Sequence, residues 1–322
     1  MPALFLGEEE CSMEIALLLA QQIAQLFLIL FCGYLIVRTG PLRAADSKVL
    51  SVILVYLVIP CVIIDAFQIQ DSPQVRAGLL VSFGAAAAIH VVFLALTAVL
   101  RRPLGLDAVE RATAIYSNAG ALVIPLVQAL LGQEYVIYSC AFIIVQLVLL
   151  WTHGSTVLRG AGSLSLKSIL TNVNLISILV GAVLYLGHIP LPSVLVGAMD
   201  SMGNLMGPLG MLLAGMAIAE SPLKQLLCTP RYYLTAALRL LIYPLAALAL
   251  LWVSGAVSFL PDGKAILMTV YLAAITPACT TITSMAQLYG QDAGKSSSFY
   301  VLSTLLSIAT MPVMLGLFDV VI

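Results

Sequence analysis

Ten long apolar stretches dominate this chain and leave little between them. They fall at about 13–37, 49–70, 77–100, 112–131, 135–152, 169–187, 193–219, 232–255, 265–289 and 297–320. A helix needs roughly 20 apolar residues to cross ~30 Å of hydrocarbon, so each stretch reads as a transmembrane helix. A β-barrel is excluded, because its strands would alternate in short segments instead of running continuously apolar. The loops are too short for a soluble domain. Composition agrees: 61% of 322 residues are hydrophobic and 9% charged, against ~45–50% and ~25% in soluble domains. A soluble fold could not cover its surface with so few charges.

Basic residues set the sidedness. The loops after spans 1, 3, 5, 7 and 9 carry Arg38, Arg43, Lys48, Arg101, Arg102, Arg111, Arg159, Lys167, Lys224, Arg231 and Lys295, whereas the even loops carry Arg76 and Lys264. The positive-inside bias then makes the odd loops cytoplasmic and predicts both termini outside, in a plasma or inner membrane. Glu8, Glu9 and Glu10 precede the first basic residue, Arg38, unlike a cleaved signal peptide, so the first stretch reads as a retained span. The six cysteines are scattered without C-x-x-C or a Cys/His cluster, so neither a metal site nor a disulfide framework is indicated. A net charge of −1 gives no sign of nucleic-acid binding.

A faint repeat runs through the chain. Gln128-Ala-Leu-Leu-Gly-Gln-Glu134 ends span 4, and Ala286-Gln-Leu-Tyr-Gly-Gln-Asp292 ends span 9, an offset of 158 residues. A second echo, Leu57-Val-Ile-Pro60 with Leu205-Met-Gly-Pro208, has an offset of 148. Five spans separate the copies, and an odd number turns the halves upside down relative to each other. The expected architecture is all-α, a single transmembrane domain of ten helices built as two inverted five-helix repeats, 13–152 and 169–320.

Spans 4 and 9 carry the features a site needs. Span 4 is interrupted near its middle by Ser117, Asn118 and Gly120, with Pro125 beyond; span 9 is interrupted by Thr276 and Pro277, followed by Thr280 and Thr281. Glycine admits unusual dihedrals and proline removes an amide, so a break near Asn118–Gly120 and another near Thr276–Ala278 are expected. Unpaired backbone cannot face lipid, so the breaks must face protein or an aqueous cavity. Two restarting helices would present free amides and partial positive charge to an anion. The plain alternative is a pair of kinked helices.

These residues carry a resemblance. Ser117-Asn-Ala-Gly-Ala-Leu-Val-Ile-Pro-Leu126 resembles the fourth-helix motif of the auxin efflux carrier family, which includes plant carriers and bacterial permeases for malate and malonate. Leu57-Val-Ile-Pro60, Asn172 to Pro190 around Gly181, Pro208-Leu-Gly-Met-Leu-Leu-Ala-Gly215, Arg239-Leu-Leu-Ile-Tyr-Pro244 and Pro277 with Ala286-Gln-Leu-Tyr-Gly290 extend it over most of the chain. The resemblance implies a fold like the bile-acid:sodium symporters, with helices 4 and 9 unwound and crossing. Asn172-Val173 stands where many members have Asn-Pro, and the loop between spans 5 and 6 is about 16 residues, which argues against auxin as the substrate.

The expected function is a secondary transporter for a small organic anion, a mono- or dicarboxylate, working by alternating access. The substrate-binding candidates are Ser117, Asn118, Gly120, Pro125, Gln146, Thr276, Pro277, Thr280, Thr281 and Arg239. Arg239 lies about two turns into span 8, where it could equally snorkel. Asp65 and Asp200 are candidates for a coupling ion, sodium or a proton, or else are solvated near the outer surface. His90 reads as a packed helix residue. No cofactor is expected; the partners are the bilayer, the anion and, as a candidate, a second copy of the chain. An enzyme finds no support, since spans 4 and 9 contain no Asp, Glu or His. A sensor or structural subunit on a transporter fold is the standing alternative.

Overall fold

Prolines and glycines decide where these apolar stretches bend, and the computed structural model shows where. It describes residues 24–25, 28–43, 46–68, 72–160, 171, 173–220 and 228–322, which are helical with no strand among them beyond one isolated bridge. Glu8 to Glu10, the opening of the first expected span, Lys167, Asn172 and Lys224 lie outside the described residues. Four helices are long and apolar enough to cross a membrane unaided: α4 (Pro73–Leu100), α7 (Gln133–Arg159), α11 (Pro230–Ser254) and α14 (Ala293–Val321). Shorter helices complete the set: α1 (Leu28–Arg38), α2 (Ser47–Ile53), α3 (Ile59–Ala66), α5 (Ala108–Ile115), α6 (Ala119–Leu130), α8 (Val173–Leu186), α9 (Ser193–Gly203), α10 (Met206–Glu220), α12 (Gly263–Ile275) and α13 (Thr280–Leu288). Leu80 and Val253 leave 75% and 76% of their surface uncovered. On apolar helices of this length, such faces belong against lipid. The chain is a multi-pass membrane protein.

The helices fall into two packed sets. In one, α4 packs on α7, and α12 lies against α4, α6, α7 and α11, with α14 against α11 and α13. In the other, α3 packs on α8 and α9, and α10 on α2, with α6 reaching across to α10. Helices α1 and α10 touch backbone to backbone: a Cβ on Gly215 would collide with the Leu30 carbonyl, and one on Gly33 with the Leu212 carbonyl. Small residues permit this approach where lipid offers no hydrophobic force to close a looser contact.

Several expected spans are not regular helices. Between α2 and α3 the chain widens into a π turn at Leu54–Val58, and α11 does so at Leu238–Ile242. Each widening covers the residue four before a proline, Tyr56 before Pro60 and Leu240 before Pro244, where the pyrrolidine ring would strike the carbonyl of a regular α-turn. The seventh stretch, expected to run unbroken over 193–219, divides at Asn204–Leu205 into α9 and α10. Pro208 is the cause in the same way, because it offers Asn204 no amide. A third π turn, Leu150–Gly154 in α7, contains no proline; its occupant is described next.

Candidate functional site

Spans 4 and 9 each break in mid-course, into α5/α6 and α12/α13, and the two breaks touch. Ser117 and Ala278 form an antiparallel bridge. Asn118 N donates to Pro277 O at 2.8 Å, and Cys279 N to Tyr116 O at 3.1 Å. The backbone groups that lost their helical partners thus find each other, as the absence of water in a bilayer demands. The second break lies at Thr276–Cys279, close to its expected place. The first lies at Tyr116–Asn118, slightly earlier than expected, and Gly120 is already the second residue of α6. The pairing explains the shift, since Tyr116 and Asn118 must leave the helix to bond Cys279 and Pro277.

Side chains from neighbouring helices hold the crossover. Gln146 of α7 accepts from Ser117 N at 2.9 Å and Ser117 Oγ at 2.8 Å, and its own amide donates to Ser117 O at 2.8 Å. Ser303 of α14 accepts from Ala278 N at 3.1 Å. Tyr116 points its ring against Gly154, where a Cβ would come within 3.0 Å of it. Its hydroxyl donates to Leu149 O at 2.9 Å, one residue before the π turn of α7, and lies in hydrogen-bond contact with His153 Nδ1 of that turn at 2.9 Å. The π turn therefore houses the tyrosine that ends α5. Ser303, Tyr116 and His153 were not expected from sequence; a hydroxyl-rich last span and an aromatic next to the Ser-Asn pair were the only signals.

Arg239 is fully buried, which corrects the snorkelling alternative. Its fork donates to Thr276 O at 3.0 Å, Ile115 O at 3.1 Å, Ala114 O at 3.2 Å and Ala274 O. Those carbonyls end α5 and α12, the negative ends of two helix dipoles. A single guanidinium thus caps both half-helices that run into the crossover, and only a planar five-donor group could do so.

Among the helices that begin in loops, α4 is capped by Ser72, α5 by Asp107 and Glu110 in a capping box, and α14 by Asp292, whereas α9, α11 and α12 begin without a side-chain cap. Asn118 begins α6 without capping it, although it is only 7% exposed. Its carboxamide makes no hydrogen bond to any described residue. At α13 the amide of Ile282 donates to Cys279 O at 3.3 Å. The crossover therefore presents two helix N-termini, that of α6 without a side-chain cap, and no carboxylate lies on α6 or α13.

The other sequence candidates fall at varied distances from this centre. Thr276 is buried and bonds Ala273 O at 3.0 Å; Thr280 is exposed and Thr281 partly so at the start of α13. Pro125 lies two turns into α6. Asp65, on α3, accepts from Gln133 of α7 at 3.1 Å, and Asp200 lies on α9, which packs against α3. His90 is a packed core histidine, with Nδ1 donating to Ala86 O at 2.8 Å and its ring 4.5 Å from that of Phe142.

A charged cluster anchors the far end of α5. Arg231 grips both oxygens of Glu110, at 2.6 and 2.7 Å, and Lys295 reaches Glu110 at 3.0 Å and also Asp107. Arg231 also donates to Leu104 O and Gly105 O at 2.8 Å. Burial alone would raise the Glu110 carboxyl; hydrogen bonds from Arg231, the Asp107 amide and Lys295 outweigh it and hold it down at about 2. The cluster ties α5 to α11 and α14.

A family model described as membrane transport protein matches residues 18–165 and again 161–315. No curated protein matches the chain.

Proposed function

Because the chain belongs to the membrane transport protein family, that of the auxin efflux carriers, we propose that this membrane transporter is a secondary carrier of a small organic anion. The observation that carries this reading is the crossover, where two helix N-termini and the Asn118 carboxamide, unpartnered among the described residues, converge in mid-chain of two apolar spans. Amides of this kind bind anions without a basic side chain. Gly120, Thr280 and Thr281 lie at these ends and would line the anion, while Ser117, Gln146, Thr276, Pro277 and Arg239 position the backbone that holds it.

The proposed architecture is ten helices in two inverted repeats. Two features support it. The motifs Ser72-Pro73 and Thr229-Pro230 open α4 and α11, 157 residues apart. The family model also matches twice, once over each half. Alternating access would move the set containing the crossover against the set of α1, α2, α3, α8, α9 and α10. Asp65, which joins the two sets through Gln133, is where a coupling sodium or proton would act. The basic loops support termini on the outer face of a plasma membrane.

Flux into proteoliposomes tests the proposal. Radiolabelled mono- and dicarboxylates would be offered with and without sodium and pH gradients. Saturable uptake of at least one is expected; no uptake and no exchange across the whole panel would favour a sensor or structural subunit.

A further inference from the structure

We infer that the crossover is built for one negative charge, so that the substrate is a monoanion and a dicarboxylate enters only with one carboxyl neutral. This rests on the carrier reading above and sharpens it. The argument is a charge balance over four helix ends. The C-termini of α5 and α12 each carry about half a negative charge, and between them lies the buried Arg239, with its nitrogens on Ala114, Ile115, Ala274 and Thr276 carbonyls. That side of the crossover sums to about zero.

On the other side, the N-termini of α6 and α13 each carry about half a positive charge. Nothing acidic offsets them: α6, α13 and both breaks contain no Asp or Glu, and the Glu110 carboxylate of α5 is held by Arg231 and Lys295. The remainder is about one positive charge, in surroundings where an unbalanced charge is costly. Asn118, nine-tenths buried and without a partner among the described residues, gives the same place a hydrogen-bonding group that awaits a ligand. A monoanion brings the site to neutrality. A dianion would replace one unbalanced charge by another of opposite sign.

The test uses pairs matched in shape and differing in charge. Malonate, succinate and glutarate would be compared with their monoamides at pH 7.5, by calorimetry on the full-length protein in nanodiscs. For at least one chain length the monoamide is expected to bind at least ~10-fold more tightly than the dicarboxylate, a difference of about 1.4 kcal/mol. A dicarboxylate that binds as tightly as its monoamide, or more tightly, at every length would overturn the single-charge inference and leave the carrier reading standing. If no compound binds here and the flux panel is also silent, the carrier reading itself fails and takes this inference with it. The variant Asn118→Asp gives a second measure, since it places a permanent carboxylate at the N-terminus of α6. It should abolish monoanion binding while the melting temperature stays within a few degrees; retained affinity in folded Asn118→Asp would refute the charge balance.

Discussion

Gln146 bonds both backbone groups of Ser117, taking its amide at 2.9 Å and giving to its carbonyl at 2.8 Å. A side-chain amide here does the work of a neighbouring strand, at a residue that two helices have left behind. Gln146→Leu removes both bonds inside a buried site, and each orphaned backbone group costs ~1–3 kcal/mol. A clear fall in melting temperature in detergent is expected. Gln146→Glu should be no better, since a carboxylate cannot donate to the Ser117 carbonyl. Wild-type melting in either variant would show that the bonds are dispensable.

Asn118 should behave in the opposite way. Its carboxamide satisfies nothing in the described protein, so Asn118→Ala leaves no group orphaned. Substrate affinity should fall about tenfold, because a hydrogen bond to a charged group is worth roughly 1.5–3 kcal/mol, while the melting temperature barely moves. Affinity and melting measured on one purified sample distinguish this from a packing role, which would lower stability and spare affinity.

Arg239→Lys keeps the charge and loses the fork. An ammonium has three donors and no planar spread, so it cannot serve the ends of α5 and α12 together. A loss of about 3–5 kcal/mol is expected, as when a buried charge is stripped of its partners. Folded yield and thermal unfolding would measure it. Full stability in Arg239→Lys would mean that the carbonyls do not need the guanidinium.

The Glu110 cluster predicts an acid limit. The carboxyl is held at about 2, below its ordinary value of 4.5, so its stabilisation is complete above about pH 4.5 and drains away as pH falls towards 2. Melting temperature measured against pH should fall over this window in the wild type. Glu110→Gln should start lower at neutral pH and vary less across the same range. Parallel curves for the two would remove Glu110 from the account.

Much of this was legible from residue spacing. Apolar runs of transmembrane length marked a helical, multi-pass membrane protein, and polar residues with Gly and Pro marked both breaks. The register of the first break was not, because Tyr116 and Asn118 leave their helix to pair with a segment 161 residues away, and no local propensity encodes a distant partner. The division of span 7 was readable in principle from Pro208, whose lost amide falls on Asn204. Arg239 misled for a different reason. Depth along a helix suggested an easy route to water, but its buried face points at two helix ends that only the folded chain brings together.

An anion held by main-chain amides has a consequence for how such a carrier diversifies. No point substitution deletes the N–H groups at the starts of α6 and α13, short of proline. The main-chain share of the grip is therefore out of reach of most point substitutions, while Asn118 and the walls around the site are free to vary. Related chains could exchange one carboxylate for another by changing the residues beyond the crossover, each keeping the same inherited grip on the head of the molecule.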